Sequence, residues 1–400
     1  MKKAGNRGSF QRVFFIVLDG FGIGAAADAA AFGDAGASTL KSVWETGEAR
    51  IPHLLSLGLG NIDGIDFLPK HPNPRGVYAR LSEQSGGKDT TVGHWELAGL
   101  VSKEPHPTYP NGFPNELLSA IRAASGRDIL CNLPYSGTEV IRDYGAEHMK
   151  SGALIVYTSA DSVCQIAAHE SVVPPNELYD ICLKARAIFS GKHAVGRIIA
   201  RPFEGEAPHF RRTARRRDFS LEPPDDTLLD IASADGYDVI AVGKIEDIFT
   251  GHGITRSLHT SGNREGMQVT EDLLREDFCG IAFVNLVDFD MIYGHRRNAH
   301  GYAAALSEFD SFLGRFLDEM RADDLLIISA DHGTDPGFQK TTDHTREDVP
   351  FLAVHKGSFG RNGGSVHGFG AVSATISDLL NIKRPRDAVA LPSFADFLRA

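Results

Sequence analysis

The chain has 400 residues, of which 42% are hydrophobic and 23% are charged, and its formal net charge at pH 7 is −11. This length and apolar content favour a substantial core, either as two domains or as one large domain with an insertion. The acidic balance argues against nucleic acid or an anionic membrane as the main partner, so an anionic substrate would need a local basic pocket. No apolar run approaches the roughly 20 residues that span a membrane, and the four cysteines show no CxxC spacing. We therefore expect a cytoplasmic protein with reduced cysteines.

An apolar run near the start of the chain predicts the first buried strand. Residues 14–18 are continuously apolar, as in the middle of a parallel sheet, and they end at Asp19 and a glycine-rich turn. Open α/β sheets place their ligand chemistry at such strand ends, although an ordinary turn acid is the alternative for Asp19. The glycines Gly20, Gly22 and Gly24 do not complete a GxGxxG fingerprint, so the turn does not predict a dinucleotide site.

The stretch from Gly86 to Glu96 predicts a loop that opens into a helix. Two glycines are followed by Asp89 and Thr90 and then by an apolar run. The unpaired N–H groups at a helix start favour an anion, so Thr90 could contact a phosphate or become phosphorylated. Asp and Thr are also ordinary N-caps, and the pattern alone leaves both interpretations open.

Proline clusters at each end of residues 103–225 predict an inserted domain. Within it the sequence predicts strands at 153–158 and 195–200 and a helix at 177–189. The prolines that frame this segment would act as its hinges to a core built from residues 1–102 and 226–400.

Arginines accumulate in the insert of this otherwise acidic chain: Arg197, Arg201, Arg211, Arg212, Arg215, Arg216 and Arg217. The planar guanidinium group suits phosphate oxygens, so Arg197, Arg201 and Arg212 are candidate phosphate contacts. A solvated basic face is the alternative for all seven, and it is the interpretation that we favour for Arg215 to Arg217. The tetrapeptide from Ser159 to Ser162 is compatible both with binding of sugar hydroxyls and with a plain turn.

After residue 225 the pattern of alternating strands and helices resumes. Strands are predicted at 237–242, 280–287, 325–329 and 349–354, and a helix is predicted at about 303–321. Strands that alternate with helices on both sides of the insert predict one mostly parallel sheet flanked by helices.

Three of the predicted strands end in an acid, and histidines lie nearby in sequence. The candidate ligands are Asp19, Asp290, Asp331, His295, His332 and His344. Because the carboxyl ends of parallel strands share one edge of a sheet, these side chains are expected to converge. Carboxylate and imidazole together suit Mn²⁺, Fe²⁺ or Zn²⁺, and six groups divide naturally between two ions roughly 3.5–4 Å apart. A lone histidine after an aspartate is usually a turn or core residue. The prediction of a two-metal site therefore depends on the joint pattern of three acids and three histidines, and not on any single histidine. Beside two cations, the Thr90 hydroxyl could attack phosphorus and carry the phosphoryl group.

Four motifs resemble those of prokaryotic phosphopentomutases, a family within the alkaline-phosphatase-like superfamily. They lie at Gly87–Glu96, Asp288–Arg297, Asp331–Gly333 and Asp343–Glu347, and the similarity extends over nearly the whole chain. The resemblance implies an α/β fold: an alkaline-phosphatase-like core with a mostly parallel sheet flanked by helices, plus an inserted α+β cap domain that contacts substrate.

The resemblance also implies the site and the reaction. One Mn²⁺ ion would be held by Asp19, Asp331 and His332, the other by Asp290, His295 and His344, with phosphorylated Thr90 between them. The substrate contacts would be Ser159, Asp161, Val163, Arg197, Arg212 and Lys244. The enzyme would interconvert ribose 1-phosphate and ribose 5-phosphate, and the 2-deoxy sugars, with a sugar bisphosphate such as glucose 1,6-bisphosphate as primer. No nucleic acid, membrane or obligate protein partner is implied.

Two residues depart from the family pattern, and two other functions compete with the mutase. Val92 stands in place of a threonine and Gly20 in place of a serine, which we expect to alter rates and not the chemistry. A hydrolase of the same superfamily would release free phosphate without a bisphosphate primer. A non-catalytic sugar-phosphate sensor would not need six metal ligands.

Overall fold

The structure is a computed structural model that describes residues 9–159 and 162–399. The chain divides into two compact units, residues 1–104 with 223–400 (unit 1) and residues 105–222 (unit 2). The sequence predicted these divisions at 102/103 and 225/226. Asp161, one of the predicted substrate contacts, lies outside the described residues.

The strands, numbered along the described part of the chain, are β1 (Arg12–Leu18), β2 (Val77–Ser82), β3 (Ile129–Pro134), β4 (Leu154–Thr158), β5 (Val163–His169), β6 (Arg197–Glu204), β7 (Arg211–Arg212), β8 (Arg217–Ser220), β9 (Asp238–Val242), β10 (Arg256–Leu258), β11 (Gly280–Leu286), β12 (Asp324–Ser329), β13 (Val349–Val354) and β14 (Arg361–His367).

The α-helices are α1 (Thr39–Trp44), α2 (Pro52–Leu57), α3 (Thr90–Leu97), α4 (Asn115–Ser125), α5 (Glu139–Ser151), α6 (Pro175–Ile188), α7 (Leu228–Ala234), α8 (Ile245–Phe249), α9 (Asn263–Leu273), α10 (Ala299–Glu319), α11 (Ala371–Leu380) and α12 (Ala395–Arg399). Short 3₁₀ turns occur at Ala29–Phe32, Leu59–Asn61, Gly191–His193 and Arg386–Ala388, and a π-helical turn spans Phe289–Gly294.

Unit 1 is built on one eight-stranded sheet with the order β10-β9-β11-β1-β12-β13-β2-β14. The pairings are parallel except for those that β13 makes with β12 and β2, so the predicted mostly parallel sheet is confirmed. The central strands β11, β1 and β12 are buried along their whole length, which explains their continuous apolar sequences. Since these three strands are parallel neighbours, their carboxyl ends lie side by side.

Unit 2 has a mixed sheet with the order β3-β4-β5-β6-β7, and β8 pairs with the first half of β6, whereas β7 pairs with its end. Helices α4 and α6 contribute apolar residues to one of its hydrophobic clusters and α5 contributes to a second. This arrangement is the α+β architecture predicted for the insert. Within the described residues of both units, no helix has the length and apolar character needed to cross a membrane. The four cysteines form no disulfide, and Cys164 and Cys182 are buried.

Candidate metal centre

The ends of two neighbouring strands place Asp19 and Asp331 next to each other. In the parallel pairing of β1 and β12, Val17 lies opposite Ser329, and each carboxyl group follows two residues later. Both side chains are buried, and the backbone N–H of Gly20 donates to Asp331 Oδ1 at 3.0 Å. Gly20 has a φ of +74°, and a Cβ at this position would lie 2.5 Å from Thr334 Oγ1. The turn after β1 therefore favours glycine, which gives the departure at Gly20 a structural reason.

Asp290 does not end its strand as the sequence predicted. Strand β11 ends at Leu286, and Asp290 lies in the π-helical turn that follows. The turn brings Asp290 Oδ2 to 3.2 Å from His295 Nε2, while His295 Nδ1 lies 2.6 Å from the carbonyl oxygen of Thr342. A proton on Nδ1 that is donated to this carbonyl leaves Nε2 unprotonated, which is the form of the imidazole nitrogen that binds a metal. Thr334 Oγ1 donates to Asp290 Oδ1 at 2.7 Å and fixes the carboxyl group from the other side.

His332 and His344 lie on two segments that pair with each other. Gly333 and Thr345 form an antiparallel bridge with hydrogen bonds of 3.1 and 2.7 Å. The two imidazole rings consequently lie 4.1 Å apart between centroids. His332 Nε2 is 3.5 Å from Asp19 Oδ1, and His344 Nε2 is 3.7 Å from Asp290 Oδ1.

Two groups of these side chains have ligand atoms within 4.8 Å of one another. One group is Asp290, His295 and His344, and the other is Asp19, Asp290 and His332. Asp290 thus belongs to both groups, whereas the resemblance assigned it to one ion only. Asp331 Oδ2 lies 3.2 Å from His332 Nε2, beside the second group.

The donor set fits divalent cations. Asp19 Oδ1 is buried and has no hydrogen-bond partner among the described residues, although buried carboxylate oxygens are normally paired. Three buried carboxyl groups share this space with imidazoles, which need not carry charge. A cation would compensate the negative charge, and the oxygen and nitrogen donors suit Mn²⁺, Fe²⁺ or Zn²⁺.

The pKa shifts of the three buried carboxyl groups reflect their closeness to one another and to the histidines. Burial, reinforced by the neighbouring charges of Asp331 and Asp290, raises the pKa of Asp19 well above its ordinary value. Burial also opposes ionisation of Asp290, yet His344 and His295 lower the pKa of this carboxyl group. At Asp331, His332 and then His94 lower the pKa against the effect of burial. The carboxyl groups therefore depend on nearby positive charge to ionise together.

Thr90 is the first residue of α3, and both interpretations of its loop are compatible with the geometry. Asp89 caps the helix by accepting N–H bonds from Thr91 at 3.0 Å and Val92 at 3.1 Å. Because Asp89 serves as the cap, the Thr90 hydroxyl is available elsewhere, and its Oγ1 lies 3.1 Å from His332 Nε2. The structure thus places Thr90 in the same cluster as the six candidate ligands.

Two residues next to the cluster were missed by sequence reasoning. His94 Nδ1 lies 2.9 Å from the carbonyl oxygen of Thr90 and 3.1 Å from Asp331 Oδ2. Asn285 Nδ2 donates to Asp19 Oδ2 at 2.8 Å and lies 3.3 Å from His94 Nε2. A signal for Asn285 existed, because it is a polar side chain near the end of an otherwise apolar strand.

The predicted substrate contacts in unit 2 lie on and beside its sheet. Ser159 follows β4 and is half-buried, while Val163 is buried and lies opposite Arg197 in the β5–β6 register. Arg197 pairs with Asp218 at 3.7 Å. Arg212 is exposed on β7, and Arg211 next to it pairs with Glu204 at 2.9 Å. Alternation along β7 directs Arg211 and Arg212 to opposite faces of the sheet.

Lys244 belongs to unit 1 and is exposed just beyond the carboxyl end of β9. Its Nζ lies 3.9 Å from the sulfur of Met291, a residue of the same π-helical turn as Asp290. Lys244 is therefore at the same edge of the sheet as the metal cluster.

Comparison with known proteins agrees with this geometry. Residues 227–384 match the model of the Metalloenzyme superfamily. The chain is 51% identical to a phosphopentomutase of Lachnoclostridium phytofermentans and 52% identical to one of Acetivibrio thermocellus, in both cases over 93% of this chain and 96% of the relative. The solved structure of the PH0037 protein from Pyrococcus horikoshii shares the fold at 15% identity, with a TM-score of 0.50 over 93% of this chain and 98% of that chain.

These findings confirm the predicted fold class, an α/β core with a mostly parallel sheet flanked by helices and an inserted α+β unit. They also confirm that the protein is an enzyme, and the Metalloenzyme match together with the two ligand groups supports a metal cofactor. Since about half of its residues are identical to those of curated relatives over nearly their whole length, the chain belongs to the phosphopentomutase family.

Proposed function

We propose that the chain interconverts ribose 1-phosphate and ribose 5-phosphate, and the corresponding 2-deoxyribose phosphates, through a phosphothreonine at Thr90. The observation that carries the proposal is the position of the Thr90 hydroxyl, 3.1 Å from His332 Nε2 at the first turn of α3. A hydroxyl at a helix N-terminus and beside a metal-binding cluster is suited to carry a phosphoryl group.

Two Mn²⁺ ions would be held by the six predicted ligands: Asp19, Asp331 and His332 for one ion, and Asp290, His295 and His344 for the other. When bound, such a pair of cations neutralises charge on a transferring phosphoryl group and on the oxygens that it leaves and joins. The buried and unpartnered Asp19 Oδ1 supports a cation at this centre, and the close ligand atoms of Asp290, His295 and His344 support the second of the two sets.

The protein residues would carry the group through two transfers. First, a sugar hydroxyl attacks the phosphorus of phospho-Thr90; the new sugar–oxygen bond to phosphorus forms as the bond to Thr90 Oγ1 breaks. The proton of the sugar hydroxyl passes to the departing Thr90 Oγ1, and the product is a sugar bisphosphate. Thr90 Oγ1 then attacks the other phosphorus of the bisphosphate, which releases the isomerised monophosphate and restores phospho-Thr90. A sugar bisphosphate such as glucose 1,6-bisphosphate would prime an unphosphorylated chain by the second of these transfers.

Unit 2 would act as a cap that contacts the sugar phosphate. Ser159, Asp161 and Val163 would contact the sugar, and Arg197, Arg212 and Lys244 would bind phosphate oxygens. The fork of an arginine matches two phosphate oxygens at once, and the exposure of Arg212 keeps its guanidinium accessible. Exclusion of water by the cap would suppress hydrolysis of the phosphothreonine.

The test is an assay of ribose 1-phosphate conversion in Mn²⁺ that follows both ribose 5-phosphate and free phosphate. Wild type, Thr90→Ala, Thr90→Ser and Thr91→Ala are compared with and without glucose 1,6-bisphosphate. We expect wild type to form ribose 5-phosphate with little free phosphate and to be stimulated by the primer. Thr90→Ala should be inactive, Thr90→Ser should retain part of the activity, and Thr91→Ala, which alters the next residue of the same helix, should remain active.

Mass spectrometry of the primed protein should place one phosphate on Thr90. Free phosphate as the main product would make the chain a hydrolase, and an active Thr90→Ala variant would remove Thr90 from the reaction.

A further inference from the structure

Arg346 connects the metal-binding segments to the loop that carries Thr90. It lies two residues after His344, next to the bridge between Thr345 and Gly333, and only 3% of its side chain is exposed. Its guanidinium donates to the carbonyl oxygens of Gly87 at 2.6 Å and Glu83 at 3.0 Å. Both carbonyls belong to the segment that leads into α3, so one side chain contacts the backbone just ahead of Thr90.

Carboxylates and an aromatic ring hold the guanidinium in this position. Nη1 lies 2.5 Å from Glu83 Oε2, and Nε and Nη2 lie 3.1 and 2.9 Å from the carboxylate of Asp28. The ring of Phe32 stacks against it at 4.8 Å. A side chain that binds two carboxylates and two carbonyls through its planar fork has little freedom to rotate.

Asp34 provides a second connection between the same segments. Its Oδ2 accepts the backbone N–H of Arg346 at 2.8 Å and the ammonium group of Lys88 at 2.7 Å. Asp34 is buried, and Lys88 is only two residues before Thr90. Two contacts therefore fix the loop at Gly87 and Lys88. The Arg346 side chain binds the Gly87 carbonyl, and the Asp34 carboxylate binds both Lys88 and the backbone N–H of Arg346.

We propose that Arg346 and Asp34 are positioning residues that fix the Thr90 hydroxyl relative to the imidazoles of His332 and His344. Neither residue belongs to the candidate ligands or substrate contacts. The inference rests on the proposed phosphothreonine function, because it assigns these residues to the geometry of that nucleophile. Small displacements of a reacting group slow catalysis strongly, by about 100-fold for 1 Å.

Two substitutions test the proposal. Arg346→Lys keeps the charge, but a single ammonium group cannot reach Gly87, Glu83 and Asp28 together. Asp34→Asn keeps one acceptor for the backbone N–H of Arg346 and removes the ion pair with Lys88. The matched control is Arg12→Lys, because Arg12 is equally buried and binds Asp324 with two bonds of 2.7 Å, together with backbone carbonyls. Arg12 begins β1, at the opposite end of the strand from Asp19.

For each protein the experiment measures kcat and KM for ribose 1-phosphate, the Mn²⁺ concentration for half-saturation, the melting temperature and the rate at which glucose 1,6-bisphosphate phosphorylates Thr90. We expect Arg346→Lys and Asp34→Asn to lower kcat and the phosphorylation rate about tenfold or more. Their KM and Mn²⁺ half-saturation should stay within about twofold of wild type. Arg12→Lys should melt at a lower temperature and keep its kcat.

The proposal is overturned if folded Arg346→Lys and Asp34→Asn keep kcat within about twofold, or if saturating Mn²⁺ restores their kcat. If Arg346→Lys does not fold, the kcat of Asp34→Asn alone decides the test by the same two criteria. A wild-type chain that acquires no phosphate on Thr90 would instead refute the proposed function, and this outcome is visible before any variant is compared.

Discussion

The side chain of Asn285 orients two groups of the metal centre from within the sheet. Its amide nitrogen donates to Asp19 Oδ2 and lies close to His94 Nε2. We therefore expect His94 to carry its proton on Nδ1, because Nδ1 faces two acceptors, the Thr90 carbonyl and Asp331. Residues that orient metal ligands in this way commonly affect metal affinity 10- to 100-fold.

Asn285→Leu should therefore raise the Mn²⁺ concentration for half-saturation about tenfold, because Asp19 loses the donor that fixes it. Titration of the metal-free protein with Mn²⁺, followed by calorimetry and by activity, measures the change. Thr270→Val is the control, since it removes a buried hydroxyl that donates to the Gly266 carbonyl of its own helix. An unchanged Mn²⁺ affinity in a folded Asn285→Leu protein would show that Asn285 has no influence on the metal ligands.

His148 in unit 2 makes a pH-dependent contribution to stability. It is fully buried, its Nδ1 lies 2.6 Å from the Ala153 carbonyl oxygen, and its Nε2 accepts the backbone N–H of His169 at 2.8 Å. Protonation of Nε2 would break the second bond, and burial lowers the pKa of His148 below its ordinary 6.5. As the pH falls below about 6.5, His148 binds a proton in the unfolded chain but stays neutral in the folded chain. The free energy of unfolding therefore decreases until the pH reaches the lower pKa that His148 has in the folded chain.

His148→Gln should be less stable than wild type near neutral pH and should lose this slope, which amounts to at most about 1.4 kcal/mol per pH unit for one proton. Urea unfolding of the Mn²⁺-loaded proteins between pH 5 and 7.5 measures the difference. His209→Gln, which alters an exposed histidine of the same unit, should keep the wild-type slope. Equal slopes in wild type and His148→Gln would contradict the assignment.

Helix α3 positions Thr90 by approaching the end of β12 very closely. A Cβ on Gly93 would lie 2.0 Å from the carbonyl oxygen of Asp331 and 2.7 Å from its carbonyl carbon. Both atoms are backbone, so neither can rotate away. The absence of a side chain at Gly93 thus allows the helix to pack against the strand that supplies Asp331.

Gly93→Ala should push α3 away from β12 and lower kcat about tenfold or more, with a loss of about 1–3 kcal/mol of stability from overpacking. Gly314→Ala is the control, because the three atoms nearest to its added Cβ all belong to the His53 imidazole, the nearest at 2.6 Å, and a side chain can move where backbone cannot. Steady-state kinetics and urea unfolding of both variants provide the measurement. Equal losses of kcat in the two variants would show that overpacking in general, and not the position of α3, reduces the rate.

The sequence predicted the elements better than the contacts between them. Apolar runs located β1, β11 and β12 because each strand is buried along its whole length. The π-helical turn that carries Asp290 has no comparable signature, so Asp290 was assigned to a strand end. Nor could a pattern reveal that Arg346 binds Asp28 and Glu83, since these contacts join residues separated by 318 and 263 positions. Local periodicity reports burial, whereas the pairing of charged side chains depends on the tertiary fold.

At the scale of the whole molecule, charge and ligands are distributed unequally between the units. All six candidate metal ligands and Thr90 lie in unit 1, while the arginine-rich stretch from Arg197 to Arg217 lies in unit 2. Unit 2 has its own apolar clusters, centred on residues such as Val156 and Ile198 and on Tyr157 and Phe203. Each unit therefore has the core that independent unfolding requires.

Metal should consequently stabilise only one of two unfolding transitions. A ligand present at about 100 times its Kd stabilises the folded state by about 2.7 kcal/mol, which raises the melting temperature of a unit of this size by about 5 °C. We expect Mn²⁺ added to the chelator-treated protein to raise the transition of unit 1 in scanning calorimetry and to leave that of unit 2 in place. Asp290→Asn should abolish the shift, because Asp290 belongs to both ligand groups, whereas Asp218→Asn in unit 2 should preserve it. A shift of both transitions together would show that the units unfold as one, and a shift that survives in Asp290→Asn would place the stabilising metal elsewhere.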